Sequence, residues 1–293
     1  MSDVLTPNLI IAVVLTFVTQ SIQIGAYAAR YAGVTTRRIA TAISLFSLLV
    51  TASRLASLFM TPALGALADL TAAHARRVIT GPHTSYLVVA PEAMARFDLQ
   101  MRLIVAGGSL GILLGAILLP VFLTMFVRGI GAFERLGSVP TALMRLFDPR
   151  VLRDLTYTLF HPPRLRLSDF PISAVPRKLL IANTLLFAVY SVGVVAAFYA
   201  SVIDLNARTT ASGLSGLVNG IGTVAFALFI DPTTALIVDQ TVRDERPHRD
   251  VAAMIFWLIV TAFIGTVLAQ LILTPAAHYI AAVANFWITH SKR

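Results

Sequence analysis

Six stretches of apolar residues, each long enough to cross a bilayer as a helix, decide what this chain can become. They run 8 to 28, 39 to 62, 103 to 127, 179 to 203, 211 to 230 and 251 to 273. At 1.5 Å of rise per residue, about 20 residues cover roughly 30 Å of hydrocarbon. Only one of the six carries a formal charge, Arg54. Composition agrees, with 57% hydrophobic and 13% charged residues against about 45–50% and 25% in soluble domains. The expectation is an all-α polytopic membrane protein, a single transmembrane domain over residues 1–293 with six helices. Nothing basic precedes the first stretch, so it is expected to stay as a helix and not to be cleaved as a leader.

The formal charge is +9, from 23 Lys+Arg against 14 Asp+Glu. Diluted among apolar runs, that excess speaks against a nucleic-acid partner and belongs in cytoplasmic loops. With six spans, the loops on one side hold 15 basic residues and those on the other 7. Both termini are therefore expected outside the cytoplasm. Cysteine is absent, which rules out disulfides, a thiol nucleophile and a thiolate metal site.

Two connections are long. The basic stretch 128 to 178 is expected on the cytoplasmic side. Its middle reads as an amphipathic helix that starts near Ser138 and Pro140, carries Arg145, Arg150 and Arg153 near its polar side, and breaks at His161-Pro162-Pro163. Such a helix lies either on the anionic inner leaflet or on the transmembrane core. The stretch 63 to 101 is expected as an outer loop, with a turn at Gly81-Pro82 and a helix start near Pro91-Glu92. Ala276 to Trp287 is too short to span; its Tyr279, Phe286 and Trp287 suit an interfacial anchor.

Three spans per half would make the second half enter from the opposite side, the arrangement of a 3+3 inverted repeat. Short matches point that way. Tyr27-Ala28 and Thr35-Thr36 recur as Tyr199-Ala200 and Thr209-Thr210, and Pro62 with Asp69 recurs as Pro232 with Asp239.

Arg54 lies about 15 residues, roughly 22 Å, along the second span. Burying a cation there costs about 2.5–3.5 kcal/mol, so it should face a wet cavity or a partner unless it snorkels to the surface. Guanidinium is a planar fork suited to carboxylate or phosphate. Arg30 closes the first span and Arg208 opens the fifth; each alone reads as an interfacial arginine, while with Arg54 they form a ladder across the membrane. The fifth span carries Ser212, Ser215, Gly216, Asn219, Gly220 and Gly222 on one face, open to either packing or a cavity. The third carries Gly107, Gly111 and Gly115 at intervals of four, a spacing expected of close helix packing. Asp231-Pro232 reads as an N-cap and N1 pair restarting a helix, with Asp239 two turns on. No His-Glu-x-x-His, Gly-x-Ser-x-Gly or phosphate-binding Gly-rich loop is present.

The run Ala26-Tyr27-Ala28-Ala29-Arg30-Tyr31-Ala32-Gly33-Val34-Thr35-Thr36-Arg37-Arg38-Ile39-Ala40, with Ser44-Leu45-Phe46, Ser53-Arg54 and Pro62-Ala63-Leu64-Gly65, resembles the bacterial Amj family of lipid II flippases. So does a second block: Arg208-Thr209-Thr210-Ala211-Ser212, Asn219-Gly220, Asp231-Pro232 with Ala235-Leu236, Asp239-Gln240 and Glu245-Arg246-Pro247. The likeness covers both halves and is weakest over 70 to 178. It implies a six-span protein of the bacterial cytoplasmic membrane that moves lipid II, the undecaprenyl-pyrophosphate-linked peptidoglycan precursor, from the inner to the outer leaflet, as an alternate to MurJ. It implies no cofactor, lipid II and membrane lipids as partners, and substrate-handling roles for Arg30, Arg54, Arg208, Asn219 and Asp239. Family members often carry an acid about four residues before the first-span tyrosine. This chain has Gln23 there, so no proton-coupling role carries over.

The mechanism expected is alternating access through a cationic cavity lined by spans 1, 2 and 5, with the polyprenyl tail left in lipid. A membrane phosphatase or transferase acting on a polyprenyl phosphate would use the same cations but needs a nucleophile or base, and the spans offer hydroxyls and amides. A scaffold for envelope enzymes would rest on the loop 128 to 178 alone. The energy source and any homo-oligomer stay open.

Overall fold

The computed structural model describes residues 4–78, 91–138, 141, 144–145, 148–161 and 166–290. Within them the side chains of residues 52, 54, 56, 57, 76, 78 and 219 lie outside the description. Among the described residues the chain is helical without strands. In order come α1 (Pro7–Gly25), α2 (Tyr27–Thr36), α3 (Ile39–Val78), α4 (Pro91–Ile117), α5 (Leu119–Leu136), α6 (Pro149–Phe160), α7 (Arg177–Ile203), α8 (Arg208–Ala225), α9 (Asp231–Val242) and α10 (His248–His290). Five described runs are long and apolar enough to cross a membrane: Pro7–Thr36, Pro91–Ile117, Arg177–Ile203, Arg208–Val242 and His248–His290. A shorter apolar run, Ile39–Thr51, opens α3.

Several helices outrun the apolar stretches that announce them. α3 continues through Pro62 for 40 residues, because Leu64, Leu67, Ala68 and Ala72 keep one face buried after the hydropathy falls. The first part of the expected outer loop is therefore helix, and Gly81-Pro82 lies outside the described residues. Likewise α10 runs 43 residues through Pro275. Ala277, Ile280, Ala281 and Ala284 stay buried at helical spacing, while Tyr279, Phe286 and Trp287 face outward. The anchor expected at 276 to 287 is thus the end of the last helix and no separate element.

The stretch 103 to 127 is not one helix. It breaks at Leu118 (φ −81°, ψ −1°), and α5 starts with Pro120 in its first turn, where a missing N–H and a fixed φ suit a new beginning. The crossing is α4, which starts earlier, at Pro91 with Glu92 in its first turn. Asp98 and Arg102 are tolerated in it because they pair with each other at 2.7 Å.

In the 128 to 178 connection, α6 begins at Asp148, whose side chain accepts from Arg150 N at 2.9 Å, and ends at His161. It packs on α5 through an Arg128–Asp154 ion pair and leaves Leu152, Leu159 and Phe160 exposed.

Two helix pairs carry the core. α4 lies along α1, with a Cβ at Gly107 reaching 3.0 Å from Val13 Cγ1 and one at Gly115 reaching 2.7 Å from Ser21 O. This is the close packing expected of the third-span glycines. α10 lies along α7, where Asn183 Nδ2 donates to Leu258 O and Thr261 Oγ1, both at 2.9 Å. Between the pairs, Arg102 donates to Gln270 O at 2.7 Å and to Thr274 Oγ1 at 3.0 Å, and Tyr199 donates to Asp98 at 3.0 Å.

Candidate functional site

One face of α1 repeats small polar residues at helical spacing: Thr16, Thr19 with Gln20, then Gln23. Together with α3, α7 and α8 this face encloses a cavity of about 320 Å³, completed by Met60, Tyr190, Gly220 and Thr223. Its wall mixes hydroxyls and amides with Leu58, Met60, Val194 and Val195, and carries no charge among the described side chains. Gln20 Oε1 and Ser191 Oγ are buried there with no hydrogen-bond partner among the described residues, which favours water or a polar ligand against them.

The cavity continues. A space of about 240 Å³ shares Gln23, Tyr190 and Thr223 with it and reaches Tyr27, Arg30 and Asp231. Beyond lies a third, of about 370 Å³, bounded by Arg30, Phe46, Asp231 and Asp239. Near the far end of α3 a fourth, of about 480 Å³, is lined by Gly65, Asp69, Phe198, Arg208 and Ser212.

Arg30 donates from Nη2 to Asp231 Oδ1 at 2.7 Å and sits 5.5 Å from the Tyr27 ring centroid and 5.8 Å from that of Phe46. Its Nη1 is buried without a hydrogen-bond partner among the described residues. An unpaired guanidinium donor in an apolar setting is costly and attracts an anion. At the other end Arg208 pairs with Asp69. The two ends of the fifth crossing, Arg208 and Asp231, are 23 residues apart, roughly 35 Å at helical rise.

The sequence-derived residues are distributed as follows. Arg30 and Asp239 share one space, although Asp239 is held at 2.7 Å by Arg243 on its own helix. Arg208 is at the opposite end. Arg54 and Asn219 have side chains outside the description. Their neighbours locate the backbone: Ser53 is buried and donates to Thr19 O at 3.3 Å, and Gly220 lines the central cavity. In α8 a Cβ at Gly213, Gly216 or Gly220 would meet nothing within 4 Å, whereas one at Gly222 would lie 3.0 Å from Tyr190 Cδ2; the small face is open at Gly216 and Gly220 and packs at Gly222.

Asp231 is not an N-cap. The helix does not restart; a π-turn over Phe226–Ile230 carries it into α9, and no side chain caps it. The wider turn frees backbone groups at the place where Pro232 would otherwise clash with the preceding turn. Asp231 is thereby turned toward Arg30. The sequence reading also missed Asp69 as the partner of Arg208, and the Thr/Gln face of α1. That face was legible as a polar stripe at i, i+3, i+4 and i+7 in a crossing helix.

Crossing helices with polar spaces between them, and arginine–carboxylate pairs where the first and second halves meet, define an all-α polytopic membrane protein. The chain belongs to the Amj family, described as Alternate to MurJ, whose family model matches residues 15–284. It is 30% identical over 287 residues, 98% of each chain, to a Bacillus subtilis (strain 168) protein named Lipid II flippase Amj. No solved structure matches it.

Proposed function

We propose that this chain flips lipid II from the inner to the outer leaflet of the bacterial cytoplasmic membrane, with both termini outside the cytoplasm. The full-length relationship to a protein of that name carries the reading. The site supports it with a cavity that offers hydroxyl and amide groups to a sugar and peptide head group, and with a buried arginine donor suited to an anion. Arg30, Arg54 and Arg208 bind the pyrophosphate in succession, and Asn219 and Asp239 contact the head group. The polyprenyl tail stays in lipid between α3 and α8, whose Leu58, Phe59, Leu217 and Ile221 are 58–70% exposed beside the cavity. Binding must stay loose, since a site that holds the pyrophosphate tightly traps it.

The test is growth of bacteria depleted of their principal lipid II flippase. The wild-type chain restores growth, while Arg30→Ala and Arg54→Ala do not at equal membrane levels. Full rescue by both variants would remove the arginines from substrate handling. Failure of the wild type, together with phosphate release from undecaprenyl pyrophosphate by purified protein, would replace the transporter with an enzyme.

A further inference from the structure

The spaces at Arg208 and at Arg30 are lined by corresponding parts of the two halves. Gly65, Ala68 and Asp69 line the space at Arg208; Ala235, Val238 and Asp239 line the space at Arg30. Each of the second three lies 170 positions after its counterpart. Facing them, Ser201 and Leu205 stand 172 positions after Ala29 and Gly33. The halves are also exchanged between the two spaces: α3 of the first half meets the α7–α8 corner of the second, and α9 of the second half meets the α2–α3 corner of the first.

Helix directions agree. Gly107 and Gly115 of α4 meet Val13 and Ser21 of α1 in rising order, so these helices run parallel. Asn183 and Phe187 of α7 meet Thr261 and Gly265 of α10, also in rising order. Asp98 and Arg102 of α4 meet Thr274 and Gln270 of α10 in falling order, so the third helices of the two halves run antiparallel. That is the geometry of two like halves related by a two-fold axis in the membrane plane.

We infer that the chain is a 3+3 inverted repeat in which Asp69–Arg208 and Asp231–Arg30 are two gates over one central cavity, opened one at a time. Asp69 and Asp231 are positioning residues. Each holds its arginine across the two halves, and an anionic substrate reaching that end competes with the carboxylate for the guanidinium. The symmetry is not strict: Asp239 occupies the place of Asp69, but the gating carboxylate at that end is Asp231, brought round by the π-turn, and Arg30 and Arg208, 178 positions apart, are not counterparts under the repeat. The competing anion rests on the lipid II proposal; the gates do not.

The native chain has no cysteine, so a single Gly220→Cys, placed where a side chain meets open space, reports on the cavity. Labelling by a membrane-impermeant maleimide is measured on intact cells and on inside-out vesicles. A partly exposed ion pair sets the scale, and its loss should speed labelling up to about fivefold. Asp69→Asn is expected to do so only from the Arg208 side, Asp231→Asn only from the Arg30 side. The charge-swapped pair Asp69→Arg with Arg208→Asp, assayed in the same background, is expected to restore slow labelling and shows that the protein folds without the native arrangement. Side-specific acceleration supports the gates whether or not lipid II is exported. Equal acceleration from both sides, or none in either variant, overturns them.

Discussion

Two glycine stripes of similar appearance make opposite predictions. At Gly115 an added Cβ would lie 2.7 Å from both Ser21 O and Ile24 Cβ of α1. Ordinary carbon contacts are about 3.5–4.0 Å, and the backbone oxygen cannot rotate away, so α1 and α4 must separate by roughly 0.5 Å or more. Overpacking of this kind costs about 1–3 kcal/mol. At Gly216 the same methyl meets nothing within 4 Å. Both substitutions gain the helix propensity of Ala over Gly, about 1 kcal/mol, so this contribution cancels between them. The difference isolates packing. Scaled at roughly 2–4 °C per kcal/mol, Gly115→Ala should melt about 2–12 °C below Gly216→Ala, read as loss of the monodisperse peak after heating detergent-solubilised protein. Melting within 1 °C of each other would refute the assignment of one stripe to the α1–α4 seam and of the other to an open face.

Filling the cavity instead of the seam should leave stability alone: Gly220→Leu is expected to abolish rescue of flippase-depleted cells while keeping the wild-type Tm, and a matching loss of both would place Gly220 in the core. Arg102→Met removes the partner of Asp98 and the donors to Gln270 and Thr274; hydrogen bonds to charged groups are worth about 1.5–3 kcal/mol, so Tm should fall by several degrees, and an unchanged Tm would deny the network its structural role. Arg30→Lys keeps the charge but loses the fork that serves Asp231 and the unpaired Nη1 side together; its rescue of growth should fall well below wild type, and full rescue would show that a point charge suffices.

The fold class was legible because hydrophobic length is a strong signal, and in α7 the apolar stretch 179 to 203 nearly coincides with the helix, Arg177–Ile203. Hydropathy marks where a helix enters lipid and not where the helix ends. It could not see α3 continuing past Pro62 or α10 past Pro275, since small buried alanines sustain both. It also merged α4 with α5 across Leu118. In the site, the arginines were legible as cations and their partners were not. Asp69 and Asp231 lie 139 and 201 positions from Arg208 and Arg30, and only the packing of one half on the other joins them. The π-turn that aims Asp231 leaves no mark that distinguishes Asp231-Pro232 from an ordinary cap.

The central claim, that lipid II crosses the membrane through this chain, is tested most directly by its arrival outside. In bacteria depleted of their principal lipid II flippase and expressing the chain, an externally added enzyme that cleaves only lipid II exposed on the outer leaflet should release product. The Gly220→Leu chain, equally expressed, should give none. Absence of product with a well-expressed, membrane-inserted wild-type chain would contradict the account.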